Sequence, residues 1–446
     1  MMKYSHRHIA LYNSPRRLLS PARQFVLCVF MICLIGLCPD LSAQSDTSGL
    51  SAGSVTLRGG TLHLGNGKTL ENGHILFETG RIRYVGTESQ EADRIIDVSG
   101  QHVYPGLIAV NTNLGLTEID AVRATLDYRE VGNYNPHVRA LVAYNTDSEI
   151  IPVTRSNGIL LAEVAPQGGI ISGQSAVFRL DGWNWEDAVV KDTAAIHLYW
   201  PAVYSFDRGQ GRTARNKNYE KEVKELEEYF GAAEAYGALE QPERTNLRFE
   251  ALQTVLRKKT PLYIHADDEK ALLDIIDFGE KTGLSVTVVG AADSWKVAGK
   301  LAENKISVVL APTQRLPRRP DNAIDQPFRT PAILREAGVL WCFSHSGAWQ
   351  QRNLPFQAGQ AVGYGLDPEH ALQALTLHTA RILGIDDRYG SLEEGKSATI
   401  VVSDGDILDP KSSIVLRAFI DGKEINLDNK QKRLYRKFGK KLDVLK

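Results

Sequence analysis

Asn111-Thr112-Asn113 closes an apolar run that begins at Val103. Residues two apart on a strand share a face, so the two carboxamides are expected to aim at one point beyond the strand end. A carboxamide offers a neutral oxygen and an NH2 donor, but no imidazole nitrogen for a metal. Such a pair suits hydrogen bonding to a substrate carbonyl, or the plainer task of satisfying nearby backbone groups. A second apolar run, Leu262-Tyr263-Ile264, ends in His265-Ala266-Asp267. An imidazole there can serve as a general base or a metal ligand, with Asp267 at hand for substrate. The alternative is a histidine simply hydrogen-bonded at the end of its strand. A third run, Leu340 to Phe343, ends in Ser344-His345-Ser346. Serine beside histidine suggests a nucleophile and its base, but neighbours on a strand face opposite ways, so that pairing needs a bend. The candidates are therefore His265 and His345 for catalysis, and Asn111, Asn113 and Asp267 for substrate. His265 is the single candidate metal ligand. His63, His74, His102, His137 and His197 have no ligand spacing and read as structural or surface residues. Gly168-Gly169 and Gly173 lack the lysine or helix start of a phosphate-binding loop and read as a tight turn.

The elements that must hold these residues alternate. Short apolar strands are expected at Gly106–Val110, Ile159–Val164, Ala194–Tyr199, Pro261–His265, Leu284–Val289, Ile306–Leu310 and Leu340–Phe343, with helices such as Glu269–Thr282 and Ala292–Asn304 between the later ones. Strands buried on both faces and separated by helices predict βα units around a parallel sheet. Their number over this length predicts an α/β fold, a (β/α)8 TIM-like barrel, with strand C-terminal ends converging on one cavity. Both flanks are β-rich instead. Val55–Arg58, His74–Glu78, Arg81–Val85 and Arg94–Val98 precede the barrel, and Ala398–Val402 and Ile414–Ile420 follow it. Thr79-Gly80 and Asp421-Gly422 supply the hairpin turns. The expected organisation is a small composite β-sandwich from residues 54–104 and 389–427, a barrel over 105–388, and a basic tail over 428–446.

Residues 1–43 read as a secretory signal peptide: Arg16, Arg17 and Arg23 precede the uncharged run Phe25–Leu37, and Leu41-Ser42-Ala43 offers a cleavage site before Gln44. The run is shorter than the roughly 20 residues of a spanning helix; a retained anchor is the alternative. Export to the periplasm or beyond is expected. Cys28, Cys33 and Cys38 leave with this segment, and Cys342 alone permits no internal disulfide. With 52 basic and 53 acidic residues, no nucleic acid is expected as partner. The segment Asn218–Phe230 alternates Glu and Lys as a solvated helix does. The run Lys430–Lys446 sets lysines and arginines around Leu434, Tyr435, Phe438 and Leu442. It reads as a docked surface helix, a frayed tail, or a segment that meets an anionic membrane.

Several short pieces, in order, carry a resemblance. Pro105-Gly106 opens the run that ends in Asn111 and Asn113; then come Gly168 to Ala176, Asp181-Gly182-Trp183, Leu354 to Gly359, Thr376 to Leu383 and Gly390 to Lys396. Together they resemble the imidazolonepropionase-like branch of the amidohydrolase superfamily, over residues 55–435. The resemblance implies hydrolysis of C–N bonds in a small amide or peptide-like substrate by metal-activated water. It also implies histidines where Asn111 and Asn113 stand, a histidine at His265, another within Val288-Val289-Gly290-Ala291, and an aspartate near Ser344-His345. Only His265 matches. The expectation is a degenerate metal site that binds at most one divalent ion such as zinc, weakly, with Asn111→His and Asn113→His raising affinity. The alternative is a non-catalytic barrel that binds a partner, as a homo-oligomer or beside a catalytic relative.

Overall fold

The two β-rich ends of the chain hydrogen-bond to each other. In the computed structural model, which describes residues 53–207 and 211–442, the strand Ile400–Ser403 runs antiparallel to His102–Pro105, pairing Ile400 with Pro105 and Ser403 with His102. From that seam one connected eight-stranded sheet extends through Val415–Ile420 and Lys423–Glu424 on one side and Val55–His63, Thr69–Glu78 and Arg81–Gly86 on the other, with Arg94–Asp97 beside Val55–Arg58. The strands thus form one sheet, where a sandwich of two was expected. Leu57, Ile75, Phe77, Val103, Ile400, Val402 and Phe419 fill one core beneath it. Tyr104, Val401, Ala418 and Ile420 alternate onto the opposite side and join the large core of the middle region, as the period of two along a strand requires. The hairpin turns fall where expected, with Thr79 and Gly80, and Asp421 and Gly422, all at positive φ. The signal-peptide segment 1–43 and residues 443–446 of the basic tail lie outside the described residues.

The middle region alternates strand and helix, but its strands form two mixed sheets instead of one closed parallel ladder. One sheet is ordered Val189–Lys191, Ala176–Arg179, Ile159–Val164, Leu107–Thr112. The other is ordered Trp341–Phe343, Ser307–Leu310, Val286–Gly290, Leu262–Ala266, Ile196–Tyr199, Ile171–Gln174. The departure from the expected barrel has two local causes. Gly168 and Gly169, at φ of 90° and 71°, turn the chain back on itself. The following strands, Ile171–Gln174 and Ala176–Arg179, therefore run antiparallel to their neighbours and break at Ser175. At the other seam, Leu107–Thr112 and Trp341–Phe343 share no ladder; the carbonyls of Leu375 and Ala374 accept from Ile108 N–H and Phe343 N–H instead, at 2.9 and 3.3 Å. The glycine turn was legible as a turn, but not the reversal that follows it.

The charged helix extends beyond its expected end, to Tyr219–Gly237. Lys221–Glu225 and Lys224–Glu228 pair at i,i+4 on its solvent side, while Tyr219, Leu226, Phe230 and Ala233 are buried. Tyr219 accepts from Trp200 Nε1–H at 3.0 Å and donates to Asp274 at 2.6 Å. That helix face therefore fixes Trp200, which borders the cavity described next.

Candidate functional site

A cavity of about 450 Å3 opens among the C-terminal ends of the strands, lined by Asn111, Tyr199, Trp200, His265, Asp267, Arg318 and Ser346, among others. His265 on its wall ends a chain of three ionisable side chains, two from adjacent strands of one sheet and one from the other sheet. Glu163 lies on Ile159–Val164, His197 on Ile196–Tyr199 and His265 on Leu262–Ala266. His197 and Glu163 have fully buried side chains, and His197 Nε2–H donates to Glu163 Oε1 at 2.9 Å. His197 Nδ1 and His265 Nε2 share a second hydrogen bond, also 2.9 Å. Tyr199 stacks on the His265 ring at 4.1 Å.

Each link has a physical reason. A carboxylate on a strand buried along its whole length carries a desolvation cost of several kcal/mol and persists only when paired. Burial by itself lifts the Glu163 pKa; attraction to the His197 ring and the hydrogen bond from its N–H, with the Ser175 hydroxyl and the Asn111 N–H, outweigh it and hold the group below its usual range. Burial, and next the neighbouring His197, press the His265 pKa well below that of a free imidazole. His265 is therefore neutral at neutral pH. When the His197 ring is neutral and Glu163 holds its proton on Nε2, Nδ1 is left as the acceptor for His265 Nε2–H, the tautomer used in the step proposed below. That arrangement leaves the lone pair on His265 Nδ1, which has no hydrogen-bond partner among the described residues and belongs to a residue on the cavity wall.

The bond from Asn111 explains a failure of the strand pattern. Along this strand the register slips by one residue between Ala109 and Thr112 against Ala162–Val164, a β-bulge. Asn111 absorbs it at φ +57°, a conformation that asparagine tolerates better than most residues. Its backbone N–H is thereby turned onto Glu163 Oε2 at 2.6 Å, while its side chain faces the cavity without a protein partner. The bulge also ends the alternation. Asn113 is directed away, its Nδ2 donating to Thr117 at 3.0 Å, and it does not line the cavity. The expectation that Asn111 and Asn113 share a face is thus corrected.

His345 is likewise corrected. Its neighbours Ser344 and Ser346 line the cavity, but His345 does not. Its Nδ1 accepts from Gly347 N–H at 3.2 Å, and Ser344 Oγ donates to the Leu310 carbonyl at 2.8 Å, so no serine–histidine pair forms. Asp267 does border the cavity, held by a charge-assisted bond from Arg318 and by Ala292 N–H. His197, which by spacing reads as a structural or surface residue, and Glu163, which no spacing singles out, both belong to the buried series behind the cavity. A charged residue inside Ile-Leu-Leu-Ala-Glu-Val and a histidine inside Ala-Ala-Ile-His-Leu-Tyr were the available signals, because a polar group in a two-sided apolar strand needs a buried partner.

The residues present do not fit a pair of metal ions. His265 Nε2 is engaged by His197, and Val289 and Gly290 offer no side-chain ligand on the adjacent strand. Among the described residues no group of three or more His, Cys, Asp or Glu is disposed to hold an ion. Because Asn113 points elsewhere, the double change Asn111→His/Asn113→His should not create a stoichiometric zinc site, contrary to the expectation from spacing alone. Elemental analysis after dialysis against a chelator checks this; one retained zinc per chain would contradict the geometry.

Residues 345–426 match the Amidohydrolase family. The chain is similar to the imidazolonepropionase of Thermoplasma volcanium, 34% identical over 87 residues, which cover 19% of this chain and 22% of that protein. It also matches the imidazolonepropionase of Erwinia tasmaniensis, 55% identical over 38 residues, 8% of this chain and 9% of that one. The chain thus spans less than a quarter of the length of these relatives. In structure it is similar to an amidohydrolase from Thermotoga maritima, with a TM-score of 0.71 and 25% identity over 83% of this chain and 99% of that one. These matches support a place in the amidohydrolase superfamily, with a mixed α/β fold.

Proposed function

We propose that this amidohydrolase-superfamily chain is a hydrolase that cleaves a carbon–nitrogen bond of a small amide or peptide-like substrate, with His265 as general base and no metal pair. The observation that carries the reading is the hydrogen-bonded series Glu163–His197–His265, which ends in a cavity wall. In the proposed step, a water in the cavity gives its proton to His265 Nδ1 as its oxygen attacks the substrate carbonyl. The positive charge on the ring passes toward His197, whose Nδ1 can take the Nε2 proton while Glu163 balances the charge. The Asn111 carboxamide, free of protein partners, donates to the carbonyl oxygen as negative charge builds there. His265 Nδ1–H then protonates the departing nitrogen, and the base is regenerated. The relative's name, imidazolonepropionase, supports a cyclic or peptide-like amide as substrate. The eight-position barrel topology belongs to this reading, with the antiparallel pair in the third position. So do the exported location and the possibility of assembly with a second copy or a catalytic relative.

The test is release of amine from a panel of cyclic amides and dipeptides by the purified full chain, before and after chelator treatment. Turnover that survives the chelator is expected. Turnover that disappears with the chelator and returns with added zinc would defeat the metal-free step. No turnover on any member would favour a binding barrel, the reading that the loss of the paired histidines suggests.

A further inference from the structure

The helix Lys430–Lys441 carries seven lysines and arginines and no acidic residue. At about 100° per residue, Leu434, Tyr435 and Phe438, with Leu442 just beyond, fall on one stripe, and the basic residues occupy the remainder of the circumference. A helix folded against its own protein turns such a stripe inward. Here the stripe faces out: Leu434 is 41% exposed, Tyr435 61%, Phe438 48% and Leu442 70%. Gly439 alone on this helix is buried. The helix is nevertheless held firmly at its base. Asn429 caps it by accepting from Lys432 N–H at 2.8 Å and anchors it through a 3.1 Å bond to Ser156. Arg436 pairs with Asp428 at 2.7 Å and Arg433 with Glu149 at 3.6 Å. Lys430, Lys437, Lys440 and Lys441 have no acidic partner among the described residues.

We infer that this helix is an interfacial anchor that lays its apolar stripe into an anionic phospholipid surface. The charge complementarity selects the occupant. Unpaired lysines bordering an aromatic stripe match a surface that is apolar in depth and negative at its face, where aromatic rings and lysine stems are both accommodated. A second copy of the helix would bring like charges together. The described residues contain no helix long and apolar enough to cross a membrane, so the helix would lie in the interface plane.

The full chain should co-sediment with vesicles of equal parts phosphatidylcholine and phosphatidylglycerol, and only weakly with phosphatidylcholine alone. Each basic residue at such a surface contributes about fivefold in affinity, so Lys437→Glu/Lys441→Glu should weaken binding by at least about 25-fold. Raising the ionic strength should weaken the wild type in the same direction. Phe438→Ser/Leu442→Ser should also release the protein. The charge-matched control Lys221→Glu/Lys224→Glu, on the helix Tyr219–Gly237, should bind as the wild type does. Equal binding to neutral vesicles, binding unaffected by both changes in the helix, or no binding would each overturn the inference. So would a concentration-dependent dimer that Phe438→Ser abolishes, which would assign the stripe to a second copy.

Discussion

Replacing His265 by Gln should lower kcat for amide hydrolysis by about 10²–10⁴-fold, the range expected for loss of a positioned base. Glutamine can still donate to His197 Nδ1, so the relay and the fold beneath it should persist, with an unchanged midpoint of thermal unfolding and little change in KM. That split between kcat and KM separates a chemical role from a packing role. The pH profile adds a second readout. Burial and the adjacent His197 lower the His265 pKa, so the base remains unprotonated through neutral pH. The acid limb of kcat/KM should therefore lie well below 6.5, rate being lost only as pH falls through the depressed value. In Glu163→Gln the anion that balances a protonated relay is gone, so His265 becomes a still weaker base. The limb should move to lower pH while the plateau rate drops. A His265→Gln protein retaining a tenth or more of wild-type turnover would sink the assignment.

The Glu163→Gln change should also cost about 3–5 kcal/mol of folding stability, the usual consequence of removing one member of a buried charged pair. Glutamine occupies nearly the same volume, so the loss reports the charge and its bonds to His197 and Asn111 and not a void. The measurement is the urea midpoint at neutral pH, with an unchanged m-value showing that the denatured state is not altered. The sign with pH follows from the depressed folded pKa of Glu163. In the unfolded chain the group titrates near 4.5. Its contribution is complete above that value and is lost as pH falls from there through the folded pKa. Wild type and variant should therefore converge in acid. His265 acts in a different window: its depressed pKa costs stability as pH drops below 6.5. A double change Glu163→Gln/His197→Asn should cost clearly less than the sum of the single ones, since the partners share one interaction. Strict additivity, or a Glu163→Gln protein as stable as the wild type at neutral pH, would show that the buried pair does not stabilise the fold.

Much of this protein follows from local pattern. The helix Glu269–Thr282 coincides with its expected span, and the strands Ile159–Val164 and Leu262–Ala266 lie within a residue of theirs. The helix carries a regular apolar stripe through Ala271, Leu272, Ile275, Ile276 and Phe278, and Ile159–Val164 is buried throughout. Hairpin turns at Thr79-Gly80 and Asp421-Gly422 were legible from Gly80 and Gly422, which accept positive φ. The candidacies of His265, Asp267 and Asn111 came from their positions at strand ends, where a barrel-like fold gathers them. Tertiary structure decided the rest. The chain reverses after Gly169, which places two antiparallel strands in a region that reads as parallel, and no local signal distinguishes a turn between elements from one that reverses a strand's sense. The bulge at Asn111 depends on a carboxylate 52 residues away, since it is Glu163 that rewards the backbone N–H for turning; without it, the period of two would have kept Asn111 and Asn113 together. The partnership of Glu163 with His197, between two sheets, and of His197 with His265, on adjacent strands, is likewise a matter of packing and not of spacing along one strand. A buried charge announces in sequence that it needs a partner, but only the packed sheets determine which one it meets.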